Sequence, residues 1–219
     1  MLDDILLLKV QDAISSFDNT NIASAFFSGS ATLPFINSPH DFDLLVFVKK
    51  DSAVPPNFYV RPLRQALLSL DSRISLLPRW EDYFVDDRAS LYFSREQFKR
   101  HIHCILPPAA YIHSFTKDVF GAPSSSVLPP GGLDVLTTHR DIYIRNLKEY
   151  YLSASFEDDV KRFKRVKSIY YGLCGVYFLM NNSYTLTDEQ IRNVNIAHDR
   201  ADGWEGLYSW LLSVLPTLS

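Results

Sequence analysis

The stretch Phe42-Asp43-Leu44-Leu45-Val46-Phe47-Val48 constrains this chain more than any other. Seven residues, almost all apolar, end at Lys49-Lys50-Asp51, too short a run for a typical helix and well suited to a strand buried on both faces. One carboxylate, Asp43, stands inside the run and another, Asp41, two residues before it. Alternation along a strand turns both to one face. Charged side chains avoid apolar strands unless something pairs with them. A pair of carboxylates on one face is suited to a hard divalent cation such as Mg²⁺.

A second element precedes it. Ile22 to Phe27 reads as a strand that leads through Ser28 into Gly29-Ser30. A small Gly-Ser turn lets backbone N–H groups and a hydroxyl come close to a phosphate. Taken alone it reads as an ordinary turn. Beside Asp41 and Asp43 it reads as half of a metal-and-phosphate site, which is what phosphoryl or nucleotidyl transfer requires.

Around these strands the pattern alternates between helix and strand. Leu2, Ile5, Leu6, Val10, Ala13, Ile14 and Phe17 recur at helical spacing, and Asp18-Asn19-Thr20-Asn21 stops that helix. An amphipathic helix is expected over Tyr59 to Leu70, and a short strand over Ile74 to Leu77. Asp82 to Phe93 leans towards β structure, and Arg100 to Leu106 alternates like a strand. Residues 121–132 are rich in Gly, Ser and Pro and read as a linker. Beyond them the period becomes helical, with stripes through Val135 to Tyr150 and Val160 to Leu179. A capping box, Thr187 with Gln190, opens a further helix. The expected architecture is therefore α+β: a mixed sheet with helices over 1–120, a linker over 121–132, and a helical bundle over 133–219.

Composition narrows the classes. The 219 residues are 47% hydrophobic and 14% aromatic, enough for a packed core and against extensive disorder. A net charge of -3 gives no overall attraction to nucleic acid or to an anionic membrane. Cys104 and Cys174 lack metal-ligand spacing and read as reduced thiols. The start, Met1-Leu2-Asp3-Asp4, is acidic where a signal peptide would be basic. The apolar stretches Ile5 to Leu8 and Tyr170 to Met180 are too short to span a bilayer. The expectation is a cytoplasmic protein without a membrane partner.

Strand, Gly-Ser turn, spacer and Asp-x-Asp strand, in that order, resemble the DNA polymerase β-like nucleotidyltransferase superfamily. Phe27-Ser28-Gly29-Ser30 corresponds to the family's turn and Asp41-Phe42-Asp43-Leu44-Leu45-Val46 to its acidic strand. The specific correspondence covers about residues 22 to 48; the helical second half agrees in outline. The resemblance implies that Asp41 and Asp43 bind Mg²⁺ (or Mn²⁺) carrying a nucleoside triphosphate, and that Gly29 and Ser30 hold its β- and γ-phosphates. An acceptor hydroxyl would then attack the α-phosphorus and release pyrophosphate. The acceptor is left open among RNA, protein and small molecules.

Family members usually carry a third carboxylate on a later strand. Here Arg100 to Leu106 offers His101 and His103, and Ile74 to Leu77 offers Ser75. Histidine titrates near neutrality, so His103 is the candidate base. His101 and His103 share one strand face, which suits a metal pair and equally a structural or site-lining role, and His40 reads as a loop residue beside Asp41. The basic segment Lys161 to Lys167 reads first as an exposed helix face. Lys167 at its end and Tyr171 four residues on are the candidates for the lysine and aromatic that related bundles turn to the nucleotide. Two functions stay open: an enzyme, or a degenerate domain of the same fold that binds nucleotide or a protein partner.

Overall fold

In a computed structural model of the protein, the described residues are 2–33, 36–81, 116–127, 188, 189, 191, 192 and 195. They form an α+β arrangement with a four-stranded mixed sheet. The expected helical bundle, both cysteines, His101, His103, Lys167 and Tyr171 lie outside them. Asp188, Glu189, Ile191, Arg192 and Asn195 are helical, as the Thr187 capping box predicts. The chain divides into two compact units, one of Met1–Asp86 with Ile112–Pro129 and the other of Asp87–Tyr111 with Pro130–Ser219.

Helix α1 spans Asp4–Ser15. It begins where Asp3 caps it, the carboxylate accepting from the Leu6 N–H at 2.7 Å, with Asp4 adding negative charge in the first turn. Val10 and Ile14 are its fully buried positions. At its far end Asn19 Nδ2 donates to the carbonyls of Ile14 and Ser15, each at 3.3 Å, satisfying acceptors that the helix leaves open. The turn into the first strand is held from a distance. The Tyr59 hydroxyl donates to the Asp18 carbonyl and accepts from the Asn21 N–H at 3.2 Å.

Strands β1 (Ile22–Ser28) and β2 (Phe42–Val48) pair antiparallel. The β2 limits are those of the apolar run. Helices α2 (Pro56–Tyr59) and α3 (Arg61–Leu70) then carry the chain to β3 (Ile74–Trp80), which lies parallel to β2. The helix expected over 59–70 thus divides at Val60, where a proline at each helix start favours a fresh first turn. Strand β3 runs past Leu77 through Pro78, which a sheet accepts on an edge strand. Strand β4 (Lys117–Gly121) pairs antiparallel with β1 on the other side, giving the order β3-β2-β1-β4. A single turn, α4 (Ser124–Val127), follows it within the Ser/Pro-rich stretch.

One sheet face carries Ala25, Phe27, Phe42, Leu44, Val46, Val48, Ile74 and Leu76, and Val10, Ile14, Leu63 and Leu67 of the helices belong to the same buried core. On the other face Phe26 and Phe47 stack with ring centroids 5.4 Å apart, both fully buried. β2 is therefore buried on both sides over most of its length, as its composition predicts.

The start of β3 carries the ion pair Arg73–Asp71. The guanidinium meets the carboxylate through two bonds, Nε to Oδ1 at 3.0 Å and Nη2 to Oδ2 at 2.7 Å. Hydrogen bonding from Arg73 holds the Asp71 carboxyl below its ordinary value of 3.8, outweighing the opposing effect of burial. A carboxyl depressed in the folded state contributes stability that is present above the unfolded value and is lost as pH falls through the folded one. Thermal melts of wild type and Asp71→Asn should therefore differ at neutral pH, and the difference should shrink below about pH 4. A difference unchanged down to pH 2 would contradict the pairing.

Candidate functional site

The site is built where β1 ends. Ser28 closes the strand in extended conformation, and Gly29–Ala31 follows as one 3₁₀ turn closed by the Thr32 N–H donating to the Gly29 carbonyl at 3.2 Å. Gly29 has φ +74°, in the left-handed region that favours glycine. Its missing side chain has a second consequence. A Cβ at this position would stand 3.0 Å from Asp43 Oδ2 and 3.8 Å from Asp43 Cγ. The Asp43 carboxylate thus borders the space that the glycine leaves open, and the turn and the acidic strand meet side chain to backbone. Sequence spacing alone brought these two motifs into one hypothesis; the sheet brings them into contact.

Register explains the meeting. Ser28 of β1 stands opposite Asp43 of β2, and Asp43 in turn stands opposite Ser75 of β3. Directly opposed residues share a sheet face. Ser28, Asp43 and Ser75 therefore form a row across three strands on the face away from α1 and α3. Asp43 is half-buried in that row; Asp41 lies just before β2 and is exposed, as is His40. Ser30, in the 3₁₀ turn, is half-buried.

The entry into β2 is anchored from below. The Phe42 N–H donates to the Arg73 carbonyl at 2.8 Å, and the Arg73 guanidinium lies 4.2 Å from the centroid of the Phe42 ring. Phe42 lies between the two aspartates in sequence and is fully buried. The pairing of Asp71 with Arg73 thus fixes the residue from which Asp41 and Asp43 project on either side.

Three further acids make contacts within the fold. Asp71 pairs with Arg73, and Glu81 Oε1 accepts the Lys50 N–H at 2.8 Å. Asp118, on a strand that the sequence pattern did not mark, accepts the Ser124 N–H at 2.9 Å. Among the described residues no three His, Cys, Asp or Glu side chains gather as a metal-binding group. His103, Lys167 and Tyr171, together with Asp82, Asp86 and Asp87, lie outside the described residues. Sequence reasoning offered Ser75 only as what the strand Ile74 to Leu77 holds in place of a third carboxylate, and gave Ser28 no role. Their alignment on Asp43 depends on strand register, for which the sequence carries no signal.

What the arrangement offers chemically is an anionic group held against an open backbone turn. Asp43, with Asp41 two residues before it, supplies hard oxygen donors suited to Mg²⁺. The cradle beside them is one that a Cβ would fill. Neutral hydroxyls of Ser28, Ser30 and Ser75 add donors without adding charge. Among the described residues no helix is long and apolar enough to cross a membrane. No protein-family model and no curated protein matches the chain.

Proposed function

We propose that the chain is a Mg²⁺-dependent nucleotidyltransferase of the DNA polymerase β-like type, moving a nucleoside monophosphate from a nucleoside triphosphate to an acceptor hydroxyl with release of pyrophosphate. In this reading the mixed sheet is followed by a helical second domain and the protein works in the cytoplasm. The observation that carries the proposal is the placement of Asp43 Oδ2 in the space beside Gly29. It joins the acidic strand to the Gly-Ser turn at one locus.

Asp41 and Asp43 would hold the cation, with Mn²⁺ able to replace Mg²⁺. When bound, the cation supplies charge neutralisation at the phosphate oxygens, which no side chain of the described turn can supply. Gly29 admits the phosphate chain close to the backbone, and the Ser30 hydroxyl donates to it. Arg73, through Phe42, keeps the base of β2 fixed so that the carboxylates need not reorganise.

A second reading is a degenerate nucleotidyltransferase domain that binds nucleotide or a protein partner without turnover. It is favoured by the row across the sheet, in which Asp43 is flanked by the hydroxyl residues Ser28 and Ser75 where an acid would strengthen a metal site. The two readings separate in one assay. Purified protein is incubated with each α-labelled nucleoside triphosphate, Mg²⁺ or Mn²⁺, and a pool of RNA, protein and small-molecule acceptors. Metal-dependent label transfer, abolished by EDTA and matched by pyrophosphate release, is the expected result. Nucleotide binding without transfer would select the second reading.

A further inference from the structure

Three polar residues are buried in the described part of the protein: Ser24, Ser28 and Ser124. Two of them are paired. Ser24 Oγ donates to the Ala122 carbonyl at 2.6 Å, and Ser124 Oγ shares a hydrogen bond with Thr116 Oγ1 at 2.7 Å. Ser28 differs. It is 9% exposed, its side chain makes no capping bond to the turn it precedes, and among the described residues its hydroxyl has no hydrogen-bond partner. A buried hydroxyl without a partner costs stability, and folded proteins hold few of them. When such a group stands at a site, a bound ligand is the economical explanation.

Position says which ligand. Ser28 stands opposite Asp43 on the same sheet face and leads directly into Gly29. A donor is needed there for phosphate oxygens that approach the Gly29-Ser30 turn. A lysine at this point would pair with Asp43 and compete with a cation. A serine supplies the donor without placing a positive charge beside Asp43. We infer that Ser28 is a further nucleotide-contact residue, its hydroxyl donating a hydrogen bond to a non-bridging phosphate oxygen of a Mg²⁺-bound nucleoside triphosphate. The inference rests on the nucleotide-site reading above and adds to it a residue outside the Gly-Ser and Asp-x-Asp pairs.

The test measures affinity and stability together. Binding of the Mg²⁺ complexes of the α,β-methylene analogues of ATP, GTP, CTP and UTP is followed by calorimetry for wild type, Ser28→Ala, Ser28→Thr and Asp43→Asn. Ser28→Ala is expected to weaken every analogue that wild type binds by about tenfold, because the lost bond is to a charged oxygen common to all four. Ser28→Thr, which keeps the hydroxyl, should stay near wild type. Without nucleotide, Ser28→Ala should melt at the wild-type temperature or above it, since the deletion removes an unsatisfied buried group. Unchanged affinity in Ser28→Ala, while Asp43→Asn loses binding, would overturn the inference and leave the nucleotide site standing. A lower melting temperature in Ser28→Ala without nucleotide would make the hydroxyl structural and overturn it too. Absence of Asp43-dependent binding in wild type would remove the site and the inference together.

Discussion

Asp43→Asn is expected to reduce nucleotidyl transfer by about a hundredfold or more, the scale on which one preorganised electrostatic group acts in catalysis. The substitution preserves shape and changes charge. Asparagine keeps the side chain beside Gly29, so the 3₁₀ turn and the pairing of Ser28, residue 43 and Ser75 need not move. What it loses is the anionic oxygen that a hard cation demands. The melting temperature should stay within a few degrees of wild type, measured by circular dichroism alongside label transfer. Activity lost together with the fold would show only that residue 43 matters structurally. Activity retained in a folded variant would remove Asp43 from the site. A milder effect from Asp41→Asn would fit its exposed place before β2, where solvent competes for the cation.

The largest effect on stability should come from Gly121→Ala, about 3 kcal/mol or more, a value typical of backbone strain combined with overpacking. Gly121 ends β4 with φ +72°, and a Cβ there would lie 2.3 Å from the Ala23 carbonyl oxygen and 3.0 Å from its carbon. Both atoms belong to the backbone of β1 and have no side-chain freedom with which to yield. The same junction carries the Ala122 N–H to Ala23 carbonyl bond at 2.9 Å and the Ser24 hydroxyl bond to Ala122. Relief of the clash would therefore pull β4 from β1. A fall in melting temperature on the order of 15 °C is expected for a domain of this size. Gly121→Asn discriminates between causes. Asparagine tolerates the left-handed backbone but keeps the Cβ, so it should be nearly as destabilising as alanine. A well-tolerated asparagine would assign the effect to conformation alone.

These two positions also show how much was legible in the sequence. β2 was, because its apolar run is continuous and ends at charges; its predicted and observed limits coincide at Phe42 and Val48. α1 was legible in type, its start moved inward to Asp4 by the Asp3 cap. β4 was not. Only Val119 of its five residues is buried, so the strand lacks the alternation that marks β structure. Gly121 reads as the opening of a linker because glycine, serine and proline follow it, whereas its function is to let β4 close on Ala23. At the site, Gly29 and Asp43 were paired by motif and meet in space. The flanking serines were hidden, since a hydroxyl on a short strand carries no signal until register sets its neighbours.

The sheet's connectivity bears on how the protein reaches this state during synthesis. β1, β2 and β3 lie within the first 80 residues, while the Ser24 hydroxyl finds its partner 98 positions later, at Ala122. On the ribosome the first three strands can assemble while one side of β1 still presents unpaired backbone groups. For the time it takes to translate the stretch from the end of β3 to the end of β4, roughly 2 to 8 s at ordinary elongation rates, that edge is open to another nascent chain. The buried strand at the centre of the finished sheet thus begins as its vulnerable margin, and β4, the element least visible in the sequence, is the one that seals it.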